Sequence, residues 1–112
     1  MDEGAHNFNI ALTYAAIGGQ LYIVKELINL GAKDINEALV SACEGNSLEV
    51  VKYLIEIGAN VNTRAYIEPY RYYGGAERKY PITATTNIDI IKELINAGAT
   101  NLNEAIIYNE TN

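Results

Sequence analysis

Three observations in the sequence predict an all-α fold, a solenoid of stacked helix pairs. The stretch LEVVKYLIEIGAN at 48–60 recurs as LYIVKELINLGAK at 21–33 and as IDIIKELINAGAT at 88–100, so the chain is built on an internal repeat. Within each copy the apolar residues, as in Leu48, Val50, Val51, Leu54 and Ile55, fall at helical spacing, and a Gly-Ala pair closes the run. The segment that begins at the glycine also recurs: GAHNFNIAL at 4–12, GAKDINEAL at 31–39 and GATNLNEAI at 98–106. A single helix pair of this kind cannot cover its apolar face alone, and neighbours must stack.

Each unit of the repeat opens with a first helix, expected over 9–17 and again over 36–44. The Asn at 9, 36 or 103 is its expected N-cap, because the side-chain oxygen can accept from the free amides of the next turn. These helices are rich in alanine (Ala11, Ala15, Ala16, Ala38, Ala42), which permits close packing. Gly18-Gly19 and Gly45-Asn46 then stand where a tight turn needs positive φ. The chain reverses into the second helix, whose inward residues are read as Leu27, Leu54 and Leu94. The period is 27 residues from Gly4 to Gly31 and again to Gly58, which divides the chain into units of about 5–31, 32–58 and 59–98, with a partial unit at 99–112. A further first helix is expected to begin within 101–108. The two ends read either as simplified caps or as the cut faces of a longer array.

The segments IALTYAAIGGQLYIVKELINLGA and EALVSACEGNSLEVVKYLIEIGANVN resemble ankyrin repeats, whose usual motif is Thr-Pro-Leu-His, a small-residue pair, a glycine turn, Leu-Glu-Val-Val and Gly-Ala. In the third unit Tyr80-Pro81-Ile82-Thr83 stands where that family has Thr-Pro-Leu-His, and the turn before Asn87-Ile88-Asp89 is about three residues short, so a shortened first helix is expected around 82–86. The resemblance covers nearly the whole chain. It implies a protein-binding module without catalysis, in which fingers and first helices form the binding surface. Carried over by position, Tyr14 and Ile17 in the first unit and Ser41 and Glu44 in the second occupy the variable sites of those helices. Ankyrin units run about 33 residues, so the 27-residue spacing leaves joints such as 31–36 too short for the usual hairpin finger. Short-period arrays with these joints look similar in style to those of large amoeba-infecting viruses.

One joint is long. Residues 61–80, VNTRAYIEPYRYYGGAERKY, lengthen the glycine spacing from Gly58 to Gly98 to 40 residues. All three arginines of the chain lie here, Arg64, Arg71 and Arg78, beside Lys79, and so do five of its nine tyrosines, Tyr66, Tyr70, Tyr72, Tyr73 and Tyr80. Its local charge is +2 in a chain of net charge −6. Gly74-Gly75 can close a two-residue hairpin between residues 70–73 and 76–80, an enlarged finger. Two readings compete for this segment. One is a variable surface insertion whose rings lie back on the helices. The other is a contact surface, since tyrosine and arginine combine large area with few torsions or a planar donor fork and are enriched at binding hot spots.

Composition narrows the remaining classes. At 112 residues and 49% hydrophobic the chain is one domain able to bury a core. Net acidity provides no global basic field for nucleic acid or anionic membranes. The amino end carries no secretory pattern and no apolar run reaches membrane-spanning length, so the default location is cytoplasm or nucleus. Cys43, the single cysteine, sits at a small-residue position of a predicted helix and reads as a buried thiol without a basic partner. His6, the single histidine, has no second ligand at metal-binding spacing. No phosphate loop or catalytic constellation is present, and no cofactor is expected. The sequence therefore predicts a protein-binding module acting through Arg64, Tyr66, Tyr70, Arg71, Tyr72, Tyr73 and Arg78 of the loop with Tyr14, Ser41 and Glu44 of the first helices. The alternatives are single-stranded nucleic-acid binding, with tyrosines stacking on bases and arginines on phosphates, or self-association through the same loop.

Overall fold

The computed structural model describes residues 2–65 and 78–101, the side chains of residues 2–6 excepted. The described chain forms α1 (Asp2–Ile17), α2 (Leu21–Asn29), α3 (Ile35–Glu44), α4 (Leu48–Glu56), α5 (Pro81–Ala84) and α6 (Ile88–Asn96). The first helices α1, α3 and α5 pack in series, as do the second helices α2, α4 and α6, and each pair is joined by its own turn. The result is a two-layer stack, as the repeat requires. Its core holds Leu12, Leu39, Val50, Val51, Leu54, Ile82, Ile90 and Leu94, all essentially inaccessible to solvent. Full burial of such a side chain is worth about 1.5–3 kcal/mol. Leu27 is only partly buried, because α2 has one helical neighbour in its layer whereas α4 has two.

The turns conform to the glycine pattern. Gly19 has φ 71° and Asn46 φ 55°, and the helix-stop glycines Gly31, Gly58 and Gly98 have φ of 118°, 104° and 103°, a region closed to most side chains. Gly45 is fixed for a different reason. A Cβ placed there would overlap the carbonyl oxygen of Ile17, so the second turn closes directly onto the first. Ser47 Oγ donates to the same carbonyl at 3.4 Å. In the next turn the buried Thr85 donates its hydroxyl to Asn46 Oδ1 at 2.6 Å and accepts from the Asn87 amide at 3.0 Å. Asn87 in turn caps α6, accepting from the amides of Asp89 and Ile90.

The expected caps Asn9 and Asn36 act otherwise. α1 begins at Asp2, seven residues before Asn9, and α3 begins at Ile35, so both asparagines lie inside helices. Their side-chain oxygens instead reach the following joint. Asn9 Oδ1 accepts from the Lys33 amide at 2.7 Å and from Asp34 at 3.1 Å, and Asn36 Oδ1 accepts from the Asn60 amide at 2.8 Å. Asn62 Oδ1 completes the series by accepting from Thr100 at 2.9 Å. Each acceptor meets the amide two residues after a helix-stop glycine, a backbone donor that would otherwise lack a partner. Asn103 and the helix expected within 101–108 fall, from residue 102 onward, outside the described residues.

α5 is short, as the spacing before Asn87 predicted, but it is a single turn at Pro81–Ala84, starting one residue before and ending two before the expected 82–86. Pro81 occupies its first position, where a missing amide costs nothing, and Thr83 Oγ1 accepts from the Tyr80 amide at 3.2 Å. Cys43 is fully buried in α3, and burial first, with the neighbouring Glu44 carboxylate second, pushes its thiol pKa far above the ordinary range. No described helix is long and apolar enough to cross a membrane.

Candidate functional site

The described ends of the long joint, residues 61–65 and 78–80, meet in a closed neck. Ala65 and Lys79 form an antiparallel bridge, exchanging backbone hydrogen bonds of 3.0 and 2.8 Å. Ala65 is buried, and its small side chain lets this neck sit against the core. A regular hairpin closed at Gly74-Gly75 would pair Lys79 with Tyr70 instead, so the expected pairing of 76–80 with 70–73 does not reach Lys79. The reason is local: both backbone groups of Lys79 are committed to Ala65, and Arg78 donates from its guanidinium to the Arg64 carbonyl at 2.9 Å, drawing the two legs together there.

Side chains at the neck form one cluster. The Arg64 guanidinium lies 5.4 Å from the centre of the Tyr80 ring, within cation–π range. Tyr80 is half-buried against the core, so the ring is a fixed floor beneath an exposed cation. Lys79 Nζ stands 3.4 Å from Glu44 Oε1 at the end of α3, both side chains about 30% exposed (28% and 30%), and this pair ties the neck to the layer of first helices. The cluster can recognise a carboxylate or a π-face. It holds no nucleophile with an adjacent base, and no group of acidic, histidine or cysteine side chains able to hold a metal occurs among the described residues.

The sequence-predicted residues divide accordingly. Arg64, Arg78 and Glu44 are brought together at the neck. Tyr14 is exposed but lies on α1, one helix removed from α3 and Glu44. Ser41 is fully buried on α3, where its hydroxyl has no hydrogen-bond partner, so it presents no surface to a ligand. It falls at the repeat position of Tyr14, which in the second unit is closed over by the packing of α1 on α3. Tyr66, Tyr70, Arg71, Tyr72 and Tyr73, with the Gly74-Gly75 turn, lie outside the described residues, as does the His6 side chain. Lys79 and Tyr80, counted in the loop's basic and tyrosine enrichment but not among the expected binding residues, belong to the cluster. Their signal lay in position, directly before the Pro81 that starts the third helix pair, where the returning leg must meet α3.

Comparison with known proteins agrees with this architecture over the first two units. The family model described as "Ankyrin repeats (3 copies)" matches residues 2–65, more than half of the chain, and stops within the long joint, at Ala65. No curated protein matches the chain. The third helix pair lies beyond the matched region, yet α5 packs on α3 and α6 on α4 as the earlier pairs do, with its first helix cut to one turn. Ankyrin repeats are generally non-catalytic modules of protein–protein interaction. With three stacked helix pairs, glycine-stopped second helices and this match, the chain belongs to the ankyrin-repeat family.

Proposed function

We propose that the protein is a non-catalytic binding module that engages a protein partner through the loop 61–80 and the adjoining face of the first helices. One observation supports this reading: the Lys79–Glu44 ion pair at 3.4 Å anchors the neck of the loop to α3, so the neck and the adjoining end of that helix lie together. The exposed Arg64 over the Tyr80 ring supplies a cation on an aromatic base beside that pair. Arginine and tyrosine in this combination suit a partner presenting carboxylates beside apolar or aromatic side chains.

The test is affinity purification with the intact protein and with a variant in which residues 66–77 are replaced by a short Gly-Asn linker that preserves the Ala65–Lys79 bridge. A partner retained by the intact protein after nuclease treatment and lost with the loop supports the reading. Within the loop, replacing Tyr72 and Tyr73 together by Ser should weaken binding by about 2 kcal/mol or more, as loss of hot spots does. Binding to oligonucleotides with a steep salt dependence, and no nuclease-resistant partner, would replace this reading with single-stranded nucleic-acid recognition. Unchanged binding by the loop-replaced variant would move the site to the helix face of Tyr14 and Glu44.

A further inference from the structure

The second helices carry two apolar stripes, and their burial differs systematically along the stack. One stripe is Leu21, Val24 and Ile28 on α2, repeated as Leu48, Val51 and Ile55 on α4 and as Ile88, Ile91 and Ile95 on α6. The other is Ile23, Leu27 and Leu30, repeated as Val50, Leu54 and Ile57 and then as Ile90, Leu94 and Ala97. On α4 Val50, Val51 and Leu54 are inaccessible to solvent, and the last position of the second stripe is exposed in every unit, at Leu30, Ile57 and Ala97. Apart from that shared position, each end helix covers one stripe and exposes the other. On α2 the exposed residue is Ile23 (42%), whose equivalents Val50 and Ile90 are buried, whereas on α6 they are Ile88 (62%) and Ile95 (44%), whose equivalents on α2 and α4 are partly buried. The first helices repeat the pattern, since Ala11 and Tyr14 are exposed on α1 while their repeat equivalents Ala38 and Ser41 are fully buried.

The two exposed faces are therefore the complementary halves of one interface, the interface the protein already forms between α2 and α4 and between α4 and α6. We infer that a second copy of this chain docks on that basis, the α6 face of one copy (Ile88, Ile95) seating on the α1–α2 face of the next (Tyr14, Ile23). The interaction is heterologous, joining unlike faces, so it propagates rather than closing into a symmetric pair. Each copy carries a formal charge of −6, so the contact is apolar and works against mutual repulsion. Apart from Tyr14, which the partner surface also includes, this inference uses the ends of the stack and not the loop.

Sedimentation equilibrium from micromolar to millimolar concentration tests it. The weight-average mass should rise above the 12.3 kDa of a single copy as concentration increases, and should rise further when salt screens the like charges. Ile23→Lys and Ile95→Lys alter exposed residues of opposite faces, and circular dichroism verifies that each variant remains helical; Tyr14→Arg serves as a second variant of the first face. Each variant alone should stay at the mass of one copy. An equimolar mixture of Ile23→Lys and Ile95→Lys should recover a one-to-one complex, because each retains the face the other lacks. A wild-type mass that stays constant across the range overturns the inference. So does association of Ile95→Lys alone, which would mean that like faces pair, or association of both variants alone, which would place self-association elsewhere.

Discussion

Leu54 shows how much a position in the stack is worth. Its side chain is fully buried on α4, which packs on both α2 and α6, so Leu54→Ala should lower stability by about 2–5 kcal/mol in urea unfolding, as cavity-forming changes do. Leu27 occupies the same repeat position at the partly exposed end, and Leu27→Ala should cost visibly less; equal losses would contradict the graded burial. Cys43 gives a pH-dependent signature. In the unfolded chain its thiol ionises near the ordinary value of 9.0, whereas burial in α3 keeps it protonated to much higher pH. Above about pH 9 the native state thus holds a proton that the unfolded state has released, and stability falls with rising pH by at most about 1.4 kcal/mol per unit. Comparing unfolding free energies at neutral and strongly alkaline pH for the wild type and Cys43→Ala isolates this contribution. The variant should lose less stability than the wild type.

At the scale of elements, the long joint is expected to be separable from the helices it connects. Its neck is closed by the Ala65–Lys79 bridge, and the other joints pass between helices in a few residues. Because loop closure costs only about 0.6 kcal/mol per doubling of length, replacing residues 66–77 with a short linker should leave the urea midpoint nearly unchanged. A large loss would show that the loop covers the core. The helices and their turns are legible in the sequence because both depend on local chemistry: helical apolar spacing, and glycine or asparagine where φ must be positive. The shortened α5 is legible for the same reason, from Pro81 and the missing turn residues. Asn9 and Asn36 read as caps but are not, since a helix start and a reach across 24 residues to the next joint use the same side-chain oxygen, and only the fold distinguishes them. Ser41 misleads in a similar way. Its exposure depends on whether a neighbouring unit lies over it, which no feature of its own helix reveals.

Across the whole molecule, stability is distributed by neighbour contacts along one axis, as expected for a stack in which each unit touches only those beside it. Amide hydrogen exchange should therefore be slowest in α3 and α4, which are covered on both sides, and faster in α2 and in the single turn of α5. Uniform protection along the chain would contradict this one-dimensional distribution. The asparagine series adds a further consequence. Asn9 and Asn36 each reach a joint amide 24 residues ahead, whereas Asn62 makes the same contact with Thr100 across 38, because the entire extra segment lies between. The spatial step from unit to unit is thus set independently of the number of residues between the two partners. The joint after Asn62 is a natural grafting port, where foreign peptides of varied length can be displayed while the scaffold beneath keeps its phase.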